Sequence, residues 1–254
     1  FVMKTLSKFF FVTTLFCLTL SASAQEAQET IYYVFDYMKV EPGMGQKYLK
    51  LEAAWKKIHA AKKAAGQIDS WTLMEVVSPY GASTEYNYVT RMRFRGTAQY
   101  AAHLENSFFP KDWTTLLTAE EIKLVNETSE IRTLVKSETF SRMEGVFGEK
   151  IQDAKLAVVN FFDFPEGKSR ADHVKVETEI WMPAHKARVA AGEMEGWVLA
   201  RRVMPGGSAM PYHDVTVDIY KSFEQMFNDD PRPALKKAHG VDDLTKLFDE
   251  TNAN

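Results

Sequence analysis

The chain has one cysteine in 254 residues, Cys17, and it lies inside an N-terminal apolar run from Phe9 to Leu20. The bulky Leu15 and Phe16 before it do not make a lipid-acceptor site, where the preceding residue is small. Beyond that run the sequence holds no thiol, which excludes disulfides, a thiolate nucleophile and cysteine-ligated zinc or iron–sulfur centres. Long apolar stretches are also missing after Leu20, so no later segment approaches the ~20 residues of a membrane-spanning helix. The six histidines are scattered without a close H-x3-H or H-E-x-x-H spacing, so no metal site is expected. There is no glycine-rich phosphate loop, no G-x-S-x-G elbow and no dinucleotide fingerprint.

A basic excess is lacking too. Without Lys4 and Lys8 the 31 basic residues become 29 against 34 acidic ones, a formal net of −5. No basic stripe of the kind nucleic acid requires is visible, and the pairs Lys62-Lys63 and Lys236-Lys237 read as solvated helix faces. The N-terminus has the form of an export signal: a basic Met3–Lys8 region, the apolar run, then Ala22-Ser23-Ala24 before Gln25. Residues 1–24 are therefore expected to be removed. The mature chain is expected to be secreted, periplasmic or extracellular, with no membrane contact after cleavage.

What the chain does contain, it contains twice. Trp55, His59, Gly66 and Trp71 return as Trp181, His185, Gly192 and Trp197, each 126 positions on. The offset holds for Pro79 and Pro205, Gly81 and Gly207, Tyr86 and Tyr212, and the Val-Thr pairs at 89–90 and 215–216. So many uncommon residues in register indicate an internal duplication. The copies are bounded as 25–145 and 154–254.

Within the first copy, Ile31–Val40 is rich in aromatic and β-branched residues and stops at Pro42-Gly43, which predicts a strand and a turn. Tyr48, Leu51, Trp55 and Ile58 then fall at helical spacing on one stripe, with His59 one turn after Trp55 and Gly66 as the stop. Strands are expected at 70–78 and 86–94, helices at 97–105 and 118–127, and a last strand at 131–140. Thr118-x-x-Glu121 reads as a capping box. The order β-α-β-β-α-β is that of the ferredoxin-like split βαβ unit. In the second copy strands are expected at 156–164, 196–204 and 212–220. Pro183 predicts a helix kink near Glu179–Pro183. The last strand of this copy is expected to be missing within the 254 residues.

This order, the Val40-Glu41-Pro42-Gly43 strand end and the helix carrying Trp-x3-His resemble the dimeric α/β-barrel superfamily in fused two-copy form. Uncharacterised secreted bacterial members are the nearest likeness, and NIPSNAP-like domains a looser one. The resemblance implies an α+β fold of tandem ferredoxin-like repeats whose antiparallel sheets pack face to face as an intrachain barrel. It also implies a ligand pocket between helix and sheet. Members include cofactor-free monooxygenases, haem-binding and haem-degrading proteins, and chlorite-dismutase-like enzymes. The Asn of the haem-degrading set has no counterpart here.

Trp55, His59, Trp71 and Tyr86, with Trp181, His185, Trp197 and Tyr212, are the candidate ligand-binding residues, and His59 and His185 the candidate catalytic ones. For each His two readings stand: acid, base or haem ligand, or a ring hydrogen-bonded at a helix–sheet contact. Thr90 and Thr216 are expected to share a strand face with Tyr86 and Tyr212. Arg91 and Arg93 face alike, and two readings stand: a pair that holds a carboxylate or propionate, or a solvated sheet edge. His213 and Asp214, adjacent on a strand, point apart. The reading that follows is a secreted binding protein or cofactor-independent enzyme for a small apolar or aromatic molecule, with no cofactor. The alternatives are a haem-binding protein and a non-catalytic scaffold.

Overall fold

The computed structural model describes residues 29–252 apart from 80, 82, 107, 108, 208 and 209; the N-terminal segment expected to be an export signal, 1–24, lies outside the described residues. The fold is mixed α+β. It comprises strands β1 (Ile31–Val40), β2 (Ser70–Glu75), β3 (Tyr88–Arg95), β4 (Arg132–Phe147), β5 (Leu156–Phe162), β6 (Gly196–Met204) and β7 (Asp214–Tyr220). Helices α1 (Gly45–Ala64), α2 (Gly96–Glu105), α3 (Ala119–Asn126), α4 (Thr128–Ile131), α5 (Arg170–Val176), α6 (Met182–Ala191), α7 (Phe223–Phe227), α8 (Pro231–His239) and α9 (Thr245–Asn252) connect or follow them.

All seven strands join one antiparallel sheet in the order β2-β3-β1-β4-β6-β7-β5. The expectation of two separate sheets gives way to a single one, because β4 is 16 residues long. Its first part pairs with β1, from Val40↔Arg132 to Tyr32↔Ser141, and its later part with β6, from Thr139↔Met204 to Phe147↔Gly196. Gly196 allows this approach, since a Cβ there would sit 3.0 Å from the Val146 carbonyl. On either side of the seam the strands run in the same sense, β2-β3-β1 and β6-β7-β5.

The helices cover one face. Helix α1 buries Tyr48, Leu51, Trp55 and Ile58 against Leu73 and Met38, so the sequence stripe is the buried one. Lys62 continues that stripe, seven residues after Trp55, and is only 3% exposed. The solvated reading of Lys62 is thereby corrected; Lys63, Lys236 and Lys237 are exposed. Thr118 and Glu121 form the expected capping box, and Ser169 with Asp172 forms a second one that opens α5. The kink expected near Glu179–Pro183 takes the form of a π-helical turn, Glu177–Trp181, running into α6. Pro183 has no N–H to give to the preceding turn, and a π-helical turn is the wider turn that accommodates this.

The other face, here the inner face, carries Tyr33, Phe35 and Tyr37 of β1. Paired with them are Phe140, Glu138 and Lys136 of β4 and Arg93, Arg91 and Val89 of β3. Tyr33, Phe140, Val198, Ala200, Tyr212 and Val215 pack there as one apolar cluster. The sheet is curled around this face. Four strand steps separate β3 from β7, about 19 Å if flat. Yet the rings of Tyr86 and Tyr212, which precede those two strands, lie 5.6 and 5.7 Å from the same ammonium, that of Lys136.

Candidate functional site

The eight candidate residues fall into three places. On the helix side of the first half, His59 stacks on Trp71 of β2 at 5.1 Å and 14°, with the Trp55 ring of α1 at 6.1 Å and tilted by 31°. The second half repeats this: His185 stacks on Trp197 at 4.9 Å and 18°, with Trp181 at 6.0 Å. Both rings are buried, and one turn on from each stands a buried cation, Lys62 or Arg188. Burial, then Lys62 and His103, lower the pKa of His59 to about 3. Burial and Arg188 lower that of His185 to about 3 as well. Both are neutral stacking rings near pH 7.

Arg188 is itself fixed by Asp229, with Nε 3.0 Å from Oδ1 and Nη2 on Oδ2, and its Nη1 lies 2.8 Å from His185 Nδ1. A haem ligand must aim a free nitrogen into a slot as wide as a porphyrin. Here one face of each imidazole is stacked on an indole, Trp71 or Trp197, and His185 Nδ1 is engaged. Two clefts open on the helix side, about 330 Å³ beside Lys168, Asp172 and Glu250 and about 210 Å³ beside Gln67, Gln99 and His103; neither is lined by His59 or His185. These residues do not fit haem.

The third place is the inner face, where Tyr86 and Tyr212 meet. Both tyrosines come before their strands begin, at Tyr88 and Asp214, so strand parity does not govern them. This corrects the shared face expected for the threonines: Thr90 and Thr216 lie on the helix side, where Thr216 Oγ1 accepts from Asn160 Nδ2 at 3.2 Å. Tyr86 instead packs edge-on to Tyr37 at 4.7 Å, and Tyr212 against Phe161 at 4.6 Å.

Lys136 Nζ sits 4.7 Å from the Tyr37 ring centre and donates to the Tyr212 hydroxyl at 3.4 Å. That hydroxyl donates to Glu138 Oε2 at 2.5 Å, and Arg202 Nη1 donates to Glu138 Oε1 at 3.0 Å. Arg202 also donates to the Tyr212 carbonyl and lies 4.4 Å over its ring. Two cations thus face one carboxylate, and among the described residues Glu138 is the acid paired with both.

The phenols remain donors. Burial, then the Glu138 charge, raise Tyr37 well above the ordinary phenol range, and burial with the hydrogen bond to Glu138 does the same for Tyr212. The Lys136 side chain is 31% exposed, so this cluster opens to solvent at its cation. Chemically it offers a positive charge and aromatic walls to an electron-rich oxygen, the Tyr212 hydroxyl proton being directed at Glu138.

Lys136, Glu138, Arg202 and Tyr37 were not singled out from the sequence. The signal was present in Lys136-Ser137-Glu138, opposite charges two apart on a strand, which share a face. Two buried carboxyls on the helix side were also missed. Glu52, 3.5 Å from Arg132 Nε, is pushed up to about 7 chiefly by burial, and Glu177 up to about 8 by burial and by Asp218. His213 turns to Phe164 and Asp163, whereas Asp214 turns to Arg170 at 2.8 Å.

No protein-family model matches the chain, and no curated protein matches it in sequence. Among solved structures the chain is similar to a protein assigned as a monooxygenase from Lactobacillus acidophilus, with 12% identity, a TM-score of 0.47, and 84% of this chain and 88% of that one covered. It is similar to an anthrone oxidase-like protein at 11% identity and a TM-score of 0.49, covering 85% of each chain. A mutant chlorite dismutase from Candidatus Nitrospira defluvii aligns at 9% identity and a TM-score of 0.44, covering 82% of each.

Proposed function

We propose that the protein binds a small aromatic molecule bearing an acidic oxygen, at the inner-face cluster of Tyr37, Tyr86, Lys136, Glu138, Arg202 and Tyr212. The observation that carries this reading is the convergence of Tyr86 and Tyr212 on Lys136, where two cations meet one carboxylate. Rings at three sides suit a flat apolar body, and the uncompensated charge suits its oxyanion. The reading goes with a tandem pair of ferredoxin-like copies, 25–145 and 154–254, joined as an intrachain dimeric α/β barrel. The equal offset of Tyr86 and Tyr212 and the repeated strand sense support it. It also goes with export to the periplasm or beyond, which the N-terminal sequence supports.

In this reading Trp55, His59, Trp71 and their second-half equivalents pack helix to sheet. Fluorescence titration with 2-naphthol tests the proposal. Saturable binding by the folded protein, weakened at least tenfold in Lys136→Met, is expected; equal affinity in the two would overturn it. Stabilising an oxyanion is also what a cofactor-independent oxygenase asks of its site, since the substrate supplies the electrons. Oxygen uptake on mixing separates turnover from binding alone.

A further inference from the structure

The inner face holds a second group of cations, away from Lys136. On β3, Arg91, Arg93 and Arg95 alternate and so share one side of the strand, Arg91 opposite Phe35 and Thr72, Arg93 opposite Tyr33 and Ser70. Their one carboxylate partner among the described residues is Asp69, 3.2 Å from Arg93 Nη1 and 2.5 Å from Arg95 Nε. Among the described residues Arg91 has no ion pair. It donates one hydrogen bond, to Thr72 Oγ1 at 3.3 Å, and stands 5.9 Å from the Tyr33 ring centre. The Nε of Arg91 and the Nε of Arg93 are both buried and have no hydrogen-bond partner among the described residues.

Buried guanidinium N–H groups are ordinarily satisfied, and a cation withdrawn from water is ordinarily paired. Side chains two apart on a strand are about 6.7 Å apart at their origins, close enough for two forks to bracket one oxyanion. The Tyr33 and Phe35 rings beside them supply an apolar wall, on which an organic body gains over a bare ion. We infer that Arg91 and Arg93 form a second binding site, for a carboxylate carried on an aromatic or apolar body. It stands on different residues from the Lys136 cluster and does not depend on it.

Calorimetric titration of the folded chain with benzoate, and separately with inorganic phosphate, tests this. Titrated into Lys136→Met, which removes the cation of the first site, benzoate is expected to bind in one saturable event that becomes at least tenfold weaker once Arg91→Gln or Arg93→Gln is added. Arg91→Lys keeps the charge but not the fork, so it is expected to fold and still lose at least threefold; it decides the matter if Arg91→Gln does not fold. No benzoate binding, equal affinity in the arginine variants, or loss confined to Lys136→Met would each overturn the assignment. Phosphate bound as tightly as benzoate would overturn the apolar-body part of it.

Discussion

Replacing Glu177 by Gln is expected to remove a pH dependence from the stability of the protein. Glu177 is buried at the π-helical turn and its pKa is raised from 4.5 to about 8, by burial first and then by Asp218. A carboxyl raised on folding is protonated in the native state while the unfolded chain has already ionised. Its stabilisation is therefore full below the unfolded value of 4.5 and is lost as pH rises through about 8. At about 1.36 kcal/mol per unit, raising the pH from 6.5 to 8.5 removes roughly 2 kcal/mol through this one group. With a urea m-value of about 2 kcal/mol/M, that is a fall of about 1 M in the unfolding midpoint. Gln cannot ionise, so the Glu177→Gln midpoint is expected to fall by about 1 M less between the same two pH values. Parallel midpoints for wild type and variant would refute the reasoning, because Glu52 and the buried aspartates are common to both.

The acid side is expected to behave in the opposite sense. His59 and His185, lowered to about 3, stay neutral in the fold while the unfolded chain protonates near 6.5. Their contribution is present above 6.5 and is lost as pH falls toward 3, so His59→Phe, which keeps a ring on Trp71, is expected to flatten the decline in melting temperature between pH 6.5 and 4. At the seam, Gly196→Ala puts a Cβ 3.0 Å from the Val146 carbonyl and 3.1 Å from Ile151. A cost of about 1–3 kcal/mol, or a melting temperature lower by roughly 2–12 °C, is expected; an unchanged melt would mean that β4 and β6 are not so closely paired.

How much of this could be read from the residues differs from place to place. The equal offset put Trp55, His59 and Trp71 in the same mutual arrangement as Trp181, His185 and Trp197, because helical spacing and strand alternation are local properties. Tyr86 and Tyr212 were found by the same offset but assigned the wrong facing. Their strands start two residues later, at Tyr88 and Asp214, and no local rule fixes which way a residue turns before pairing begins. Lys62 looked solvated as one of a basic pair, yet its position seven residues from Trp55 sinks it on the buried stripe. The length of β4 was underestimated because its partner beyond Ser141 is β6, about fifty residues away in sequence. That same distance hid the site: Lys136 and Glu138 meet Arg202 and Tyr212 only when the halves join. The recurring residue pattern was legible; the place where its two stretches meet was not.

The central claim, that the joined halves hold an acidic aromatic oxygen over Lys136, is tested most directly by the colour of 4-nitrophenol. The phenolate form absorbs visible light and the phenol does not, so its pKa can be followed when bound. Two cations against one carboxylate, with tyrosine hydroxyls still protonated, predict a bound pKa below that of the free dye, and a return to the free value in Lys136→Met. A bound pKa equal to or above the free value, or a lowered pKa that survives the loss of Lys136, would contradict the account.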